Sequence, residues 1–236
     1  MKYALYTAFV SALGCVCAEP AFGQGSINFN NRVPFSVMPV VAPVFGVEPA
    51  DPTLRKSGNP PADWNGTAGP TPVPVGTTVY GGAPLVGTGY TATLWAANSL
   101  DPDSALALVA STTFRATTVQ SLRGFWLPPA LAPVVPGIPG GITDTNRAKF
   151  QVRVWDSQNG TITTWDQVND PANDKVARGY SEVFVVPFPL GSGLLIPPNL
   201  VGLESFNLFI VPEPRVTTFV AAISLAALLA SRNKRR

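Results

Sequence analysis

The sequence contains no histidine, and its two cysteines, Cys15 and Cys17, both lie in an apolar stretch at the N-terminus. Without imidazole, a Ser-His-Asp triad, a Cys-His dyad and a histidine-ligated zinc site are all excluded. If the N-terminal stretch is removed during export, the mature chain also has neither a thiol nor a disulfide. We therefore predict a protein with no catalytic residues, no metal ligands and no cofactor.

Charged residues are also scarce, at 13% of the chain, whereas proline and glycine are abundant, with 25 and 21 residues. Residues 24–210 contain ten Lys or Arg and twelve Asp or Glu, which gives this region a net charge of about −2. A nucleic-acid-binding domain would present a basic surface, so nucleic acid is excluded as a partner. The many breakers argue against long helices, and the 46% hydrophobic content argues against a disordered chain.

Residues 1–23 have the organisation of a secretory signal peptide. A lysine begins the segment, residues 3–14 are apolar, and small residues follow at spacings that allow cleavage after Ala18 or after Gly23. A lipoprotein signal that uses Cys15 is the alternative. We therefore predict a signal helix and an exported protein, whose first partners are the Sec translocon and signal peptidase.

Residues 24–210 form the predicted body, and their best segments show the period-two alternation of half-buried strands. In Lys149–Asp156, three apolar side chains are expected to face inward while Trp155 faces outward. The other predicted strands are Gly25–Val33, Thr77–Tyr80, Tyr90–Ala97, one or two within Ala105–Thr118, one that ends with residues 124–126, Thr161–Trp165, Ser181–Phe188 and Ser205–Val211. Residues 34–76 are predicted to be mostly loop, and the proline-rich residues 128–141 to be an extended loop. Short strands between turn signals predict an all-β fold, an antiparallel two-sheet β-sandwich of the jelly-roll or immunoglobulin-like type.

Residues 211–236 divide into three parts. Pro212, Glu213 and Pro214 come first and can neither continue a helix nor pair in a central strand. Residues 216–230 contain no charge, glycine or proline and are predicted to be a single transmembrane helix. The basic end consists of Arg232, Lys234, Arg235 and Arg236. Fifteen residues span only about 22 Å of a hydrocarbon core of about 30 Å, so the flanking arginines would reach outward to the interface. An amphipathic helix packed on the body is the alternative.

This tail resembles the sorting signal of PEP-CTERM proteins, which are exported bacterial proteins with a Pro-Glu-Pro motif, a short hydrophobic helix and a basic end in that order. The resemblance implies that Pro212, Glu213 and Pro214 are recognised by an exosortase, a membrane cysteine transpeptidase that cuts near the motif. The helix and the basic end would then be a transient anchor in the inner membrane, with the body outside the cytoplasm.

A looser resemblance connects the body to PEP-CTERM proteins that share a β-rich domain. It rests on the opening sequence GSINFNNRV at residues 25–33, on the strand at residues 153–156 and on Arg178-Gly179. Proteins of this kind are associated with exopolysaccharide. We therefore expect a non-catalytic structural protein, not an enzyme, that is sorted to the cell surface or the extracellular matrix.

Two other functions remain as hypotheses. The first is a carbohydrate-binding β-sandwich in which Trp155 and Trp165, as exposed neighbours across a hairpin, stack on sugar rings; the competing interpretation is that they fill a second face of the core. The second is a carboxylate-dependent hydrolase, which needs two carboxyl groups facing each other across a cleft. Its candidates, which solvated turns explain equally well, are Asp156, Asp166, Asp170 and Asp174.

Overall fold

The computed structural model describes residues 24–61, 76–141 and 147–211, and this part of the chain is built mainly from β-strands. Its strands are β1 (Gln24–Ser26), β2 (Arg32–Val33), β3 (Val40–Val41), β4 (Val44–Phe45), β5 (Tyr90–Asn98), β6 (Ala107–Thr113), β7 (Val134–Pro139), β8 (Ala148–Asp156), β9 (Arg178–Tyr180), β10 (Phe184–Val185) and β11 (Phe206–Asn207). Helical structure in these ranges consists of the four-residue α1 (Trp165–Val168) and of 3₁₀ turns at Asp103–Ala105, Gln120–Leu122 and Pro171–Asn173. The predicted all-β class is confirmed.

The long strands β5 and β8 form the centre of an antiparallel sheet with the order β10-β8-β5-β6. Their register runs from Tyr90 opposite Asp156 to Asn98 opposite Ala148, and the other edge of β8 pairs in succession with β9 and β10. One face of this sheet is fully buried, as the alternation predicts. Its side chains are Ala92, Leu94, Phe150, Val152 and Val154.

Three two-stranded pairs contribute the rest of the core. β1 pairs with β7 and β2 with β3, both antiparallel, whereas β4 and β11 are parallel. Buried side chains from these pairs, such as Ile27, Val44 and Phe206, belong to the same hydrophobic cluster as the inner face of the central sheet. The prediction of an entirely antiparallel body is wrong at β4–β11. The long connection between these two strands includes the whole central sheet, so no short turn imposes an antiparallel direction.

The opening segment, Gly25–Val33, keeps its predicted alternation but is not one continuous strand. Ile27 and Phe29 are fully buried, and a single parallel bridge from Asn28 to Asn199 separates β1 from β2. The Phe29 ring packs 4.9 Å from the buried Trp126 ring, whose Nε1 donates a 3.1 Å hydrogen bond to the Phe29 carbonyl oxygen. The alternation therefore identified the buried face, although the partners lie on separate elements.

The proline-rich residues 128–141 contain a strand, so their prediction as an extended loop is wrong. β7 pairs with β1 through Val134, Val135 and Pro139, and buries Val135 and Ile138. Within this two-stranded pair, β7 needs ladder hydrogen bonds on one side only, and an interruption of the register accommodates the prolines.

Two other predicted strands are absent from the described part of the chain. Residues 77–80 form no ladder. After β8, Gln158 and Asn159 adopt positive φ angles of 49° and 58°, and the chain does not pair back through residues 161–165. Instead Thr164 caps α1: its Oγ1 accepts a hydrogen bond from the Gln167 backbone N, and the Gln167 side chain accepts one from the Thr164 N.

The predicted signal segment, the predicted anchor at residues 216–230 and the sorting motif lie outside the described residues. Within residues 24–61, 76–141 and 147–211, no helix has the length and apolar character needed to cross a membrane.

Candidate functional site

The two tryptophans of the carbohydrate hypothesis, Trp155 and Trp165, are neighbours, with ring centroids 5.9 Å apart. Trp155, however, is only 1% exposed. Its ring packs with Ile162, Val168 and Val176 in a small second cluster, and its Nε1 donates a 3.0 Å hydrogen bond to the Ile162 carbonyl oxygen. The two rings are neighbours, as predicted, although no hairpin brings them together. The predicted exposure of Trp155 is wrong, because the turn and short helix after β8 fold over this face of the sheet.

Trp165 shares an open surface with Trp95 of β5, and Arg153 of β8 lies between the two indoles. The Arg153 Cζ is 4.0 Å from the ring centroid of Trp95 and 5.4 Å from that of Trp165, which are cation–π distances. The Arg153 Nε also donates a 2.8 Å hydrogen bond to Gln151 Oε1. We call Trp95, Arg153 and Trp165 the aromatic clamp. Burial lowers the pKa of the Arg153 guanidinium, and the charge of Asp166 opposes that shift.

The strand register explains how the clamp is assembled. Arg153 of β8 lies opposite Thr93 of β5, two residues before Trp95. The Trp95 Nε1 donates a 3.0 Å hydrogen bond to Thr93 Oγ1, and that hydroxyl donates a 3.1 Å hydrogen bond to the Arg153 carbonyl oxygen. Trp95 was not predicted as a site residue, since only the pairing of β5 with β8 brings it beside Arg153.

A groove runs along this open face, beginning at the two clamp tryptophans. Its first part is a cavity of about 230 Å³ that is also lined by Leu108 and Asp166. A second part of about 520 Å³ shares Ser111 and Thr163 with the first. Its polar lining includes Thr91, Thr113, Ser157 and Asn159. We call the two parts together the open-face groove.

The open-face groove offers two kinds of contact to a ligand. At one end the tryptophans present apolar aromatic surface, and along the rest hydroxyl and amide groups can donate and accept hydrogen bonds. Such a lining suits a molecule with both apolar C–H faces and many hydroxyl groups. The described residues contain no cluster of three or more His, Cys, Asp or Glu that could hold a metal ion.

The four carboxylates of the hydrolase hypothesis have different surroundings. Asp166 lines the groove. Asp156 and Asp170 each accept a 2.8 Å hydrogen bond from a backbone N two residues later, which is the contact of a turn residue. Asp174 lies near Arg178, whose guanidinium donates to the Asn173 carbonyl oxygen at 3.1 Å.

The predicted sorting residues Pro212, Glu213 and Pro214, and the basic end (Arg232, Lys234, Arg235 and Arg236), lie outside the described residues. The described fold ends just before them. The Ile210 N donates a 2.8 Å hydrogen bond to the Pro52 carbonyl oxygen, and Val211 is 39% exposed.

No family model matches the sequence, and no curated protein and no solved structure matches it significantly.

Proposed function

We propose that this protein is an exported, exosortase-sorted structural protein of the cell surface or extracellular matrix, and that its body is not an enzyme. The main support is the tail, in which the Pro212-Glu213-Pro214 motif, the apolar residues 216–230 and a basic end follow one another in the order of a sorting signal. Residues 216–230 would hold the precursor in the inner membrane, with the basic end toward the cytoplasm.

The end of the described fold is compatible with this role. Phe209 and Arg178 exchange backbone hydrogen bonds of 2.7 Å and 3.0 Å, so the chain is tied to the body almost to its last described residue. Val211 is then exposed at the surface. A processing enzyme that recognises the next three residues would therefore not have to unfold the body.

For the body itself we propose a two-layer β-sandwich. One layer is the central sheet, and the second consists of the three short pairs whose buried side chains share its core. The jelly-roll and immunoglobulin-like types remain alternatives for this arrangement.

The sorting proposal is tested with Glu213→Ala in a host that contains an exosortase. We expect export to continue and processing to stop, so that the uncut form accumulates in the membrane fraction. Glu204→Ala, which removes an exposed carboxylate from the body, is the matched control and should be processed normally. A chain without residues 216–236 gives the reference for a released body. Cell fractionation with intact-mass measurement identifies each form.

Two results would contradict the sorting proposal. One is normal processing and release of the Glu213→Ala protein. The other is a wild-type protein that keeps residues 216–236 permanently and holds its body in the cytoplasm.

Carbohydrate binding is a second candidate function, and exopolysaccharide would then be a partner. The observation that favours it is the open-face groove, with Trp95 and Trp165 at one end and hydroxyl groups along its length. The stacking pair of this candidate is Trp95 and Trp165, because Trp155 is buried.

A further inference from the structure

We propose that the open-face groove binds an uncharged polysaccharide chain along its length, with Trp95 and Trp165 as the stacking surfaces and Arg153 as their positioning residue. This inference rests on the carbohydrate-binding candidate and specifies its ligand. Three features of the groove support this ligand: the accessible surface of the two indoles, the charges at the groove and the length of its open surface.

The two clamp indoles keep part of their ring surface accessible to a ligand, although Arg153 lies against both of them. Trp95 and Trp165 are both half-buried, and both line the first cavity. The Trp95 N–H is already bonded to Thr93 Oγ1, so this residue can contribute apolar ring surface and not a donor. Apolar ring surface matches the C–H face of a pyranose ring.

The charges at the groove do not favour acidic sugars. Of the described residues that line the groove, Asp166 alone carries a charge, and the guanidinium of Arg153, which lies against both indoles, interacts with that charge. The two opposite charges leave no net positive charge to attract the carboxylate of a uronic acid or a sulfate ester, and the exposed Asp166 carboxylate can accept hydrogen bonds from sugar hydroxyls. The groove therefore favours neutral sugars.

The length of the groove favours a chain over a single sugar. The first part contains Trp95 and the second contains Thr91, on the same strand. Four residues of extended strand correspond to about 13 Å, which exceeds the width of one pyranose ring. The two parts are joined through Ser111 and Thr163, so successive sugar units can occupy both.

Arg153 holds the clamp in place without lining the groove. Its guanidinium lies against both indoles, and the Gln151 side chain fixes its Nε. Lysine keeps the charge but lacks the planar group that stacks on aromatic rings. Arg153→Lys should therefore weaken ligand binding by loosening the two rings, while Arg153 itself touches no ligand.

The test is isothermal titration of the full chain in detergent with three polymers and one monosaccharide. Hydroxyethylcellulose and dextran are the neutral probes, polygalacturonate is the acidic probe, and glucose is the single sugar. We expect at least one neutral polymer to bind at least tenfold more tightly than polygalacturonate and than glucose.

Trp165→Ala should reduce that affinity about tenfold, and Trp165→Phe should restore part of it. Phe35→Ala, which removes an exposed ring elsewhere, is the control and should bind as wild type does.

Two further variants examine the charge and the clamp. Asp166→Asn should raise the affinity for polygalacturonate several-fold. Arg153→Lys should lower the affinity for the neutral polymer without changing the thermal unfolding temperature, and it should alter the near-ultraviolet circular dichroism of the tryptophans. A loss of unfolding temperature together with affinity would show a general structural role and overturn the positioning assignment.

The remaining outcomes distinguish failure of the carbohydrate candidate from failure of the inference about its ligand. If none of the probes binds, both the carbohydrate candidate and this inference are overturned. If polygalacturonate binds best and Trp165→Ala abolishes that binding, carbohydrate binding stands and the neutral-ligand inference is wrong. Equal affinity for glucose and the polymer contradicts binding along a chain. Neutral-polymer binding that is unchanged in Trp165→Ala places the site elsewhere. None of these results affects the Glu213→Ala sorting test.

Discussion

The rings of Phe45 and Tyr80 stack in parallel, with their centroids 4.1 Å apart and 6° between their planes. The Tyr80 hydroxyl contacts the carbonyl oxygens of Gly58 at 2.6 Å and of Ser205 at 2.8 Å. One side chain therefore connects β4, the loop around residue 58 and the segment before β11.

The Tyr80 phenol should make stability depend on alkaline pH. Burial, and after it the charges of Glu204 and Glu48, raise the pKa of Tyr80 above its ordinary value. The folded state thus holds the phenol proton more tightly than the unfolded chain, so this contribution is complete below a pH of about 10 and is lost as the pH rises further. We expect Tyr80→Phe to lower the free energy of unfolding by about 1 kcal/mol at neutral pH and to make its decline in alkali shallower.

Chemical denaturation at neutral and at alkaline pH measures both effects. Phe45→Leu is the matched control, because it removes the stacked ring but keeps the phenol and its two carbonyl partners. It should be less stable at both pH values, with an alkaline decline close to that of wild type. Identical alkaline slopes for wild type and Tyr80→Phe would contradict the prediction.

Gly179 allows β9 to approach the end of the body. A Cβ at this position would lie 2.5 Å from the Asn207 carbonyl oxygen and 3.0 Å from Leu208 Cδ2. We expect Gly179→Ala to destabilise the protein by about 1–3 kcal/mol, because β9 and the segment around β11 must move apart. Gly89→Ala, at a position with nothing within 4 Å, should change stability by about 0.5 kcal/mol or less. Thermal unfolding of the two variants decides the matter, and equal stability would refute the close-contact explanation.

Lys149 and Asp103 form an unequal ion pair. The Lys149 side chain is 7% exposed and the Asp103 side chain 66%, and their Nζ–Oδ1 distance is 2.6 Å. The Lys149 Nζ also donates to the Asp101 carbonyl oxygen. Asp103→Ala leaves a buried ammonium group without its carboxylate and should cost about 1–2 kcal/mol. Lys149→Met should cost less, because Asp103 regains full hydration while the methionine fills the same space. Urea denaturation measures the two stabilities. A larger loss for Lys149→Met than for Asp103→Ala would contradict the prediction.

Alternation along the sequence was sufficient to predict the inner face of the central sheet. In β8, Phe150, Val152 and Val154 are buried on one side, as predicted, because a strand with one face in a core must alternate. The outer face was predicted less well. Trp155 is on the expected side, but a later turn and helix cover it, and no local pattern indicates what folds over a residue.

Elements whose partners are distant were also beyond prediction from the sequence. The prolines of β7 obscured a strand that pairs on one side only with β1. The aromatic clamp could not be predicted either, because Trp95 and Arg153 are far apart in sequence and meet only through the β5–β8 register. The sorting signal needs no such distant pairing, because its three parts are contiguous in the sequence, and it stays a prediction.

The parallel pair of β4 with β11 bears on when an exported chain can fold. In the proposed export, residues 44–45 would cross the membrane early, whereas their partners at residues 206–207 would be among the last of the body to arrive. Asn28 likewise pairs with the distant Asn199, and β1 pairs with the distant β7. Contacts of such long sequence separation form slowly, so the early strands would remain unfolded during the proposed translocation. Completion of the body would then coincide with the emergence of Pro212 to Pro214, and maturation of the proposed precursor would be timed by its own final strand.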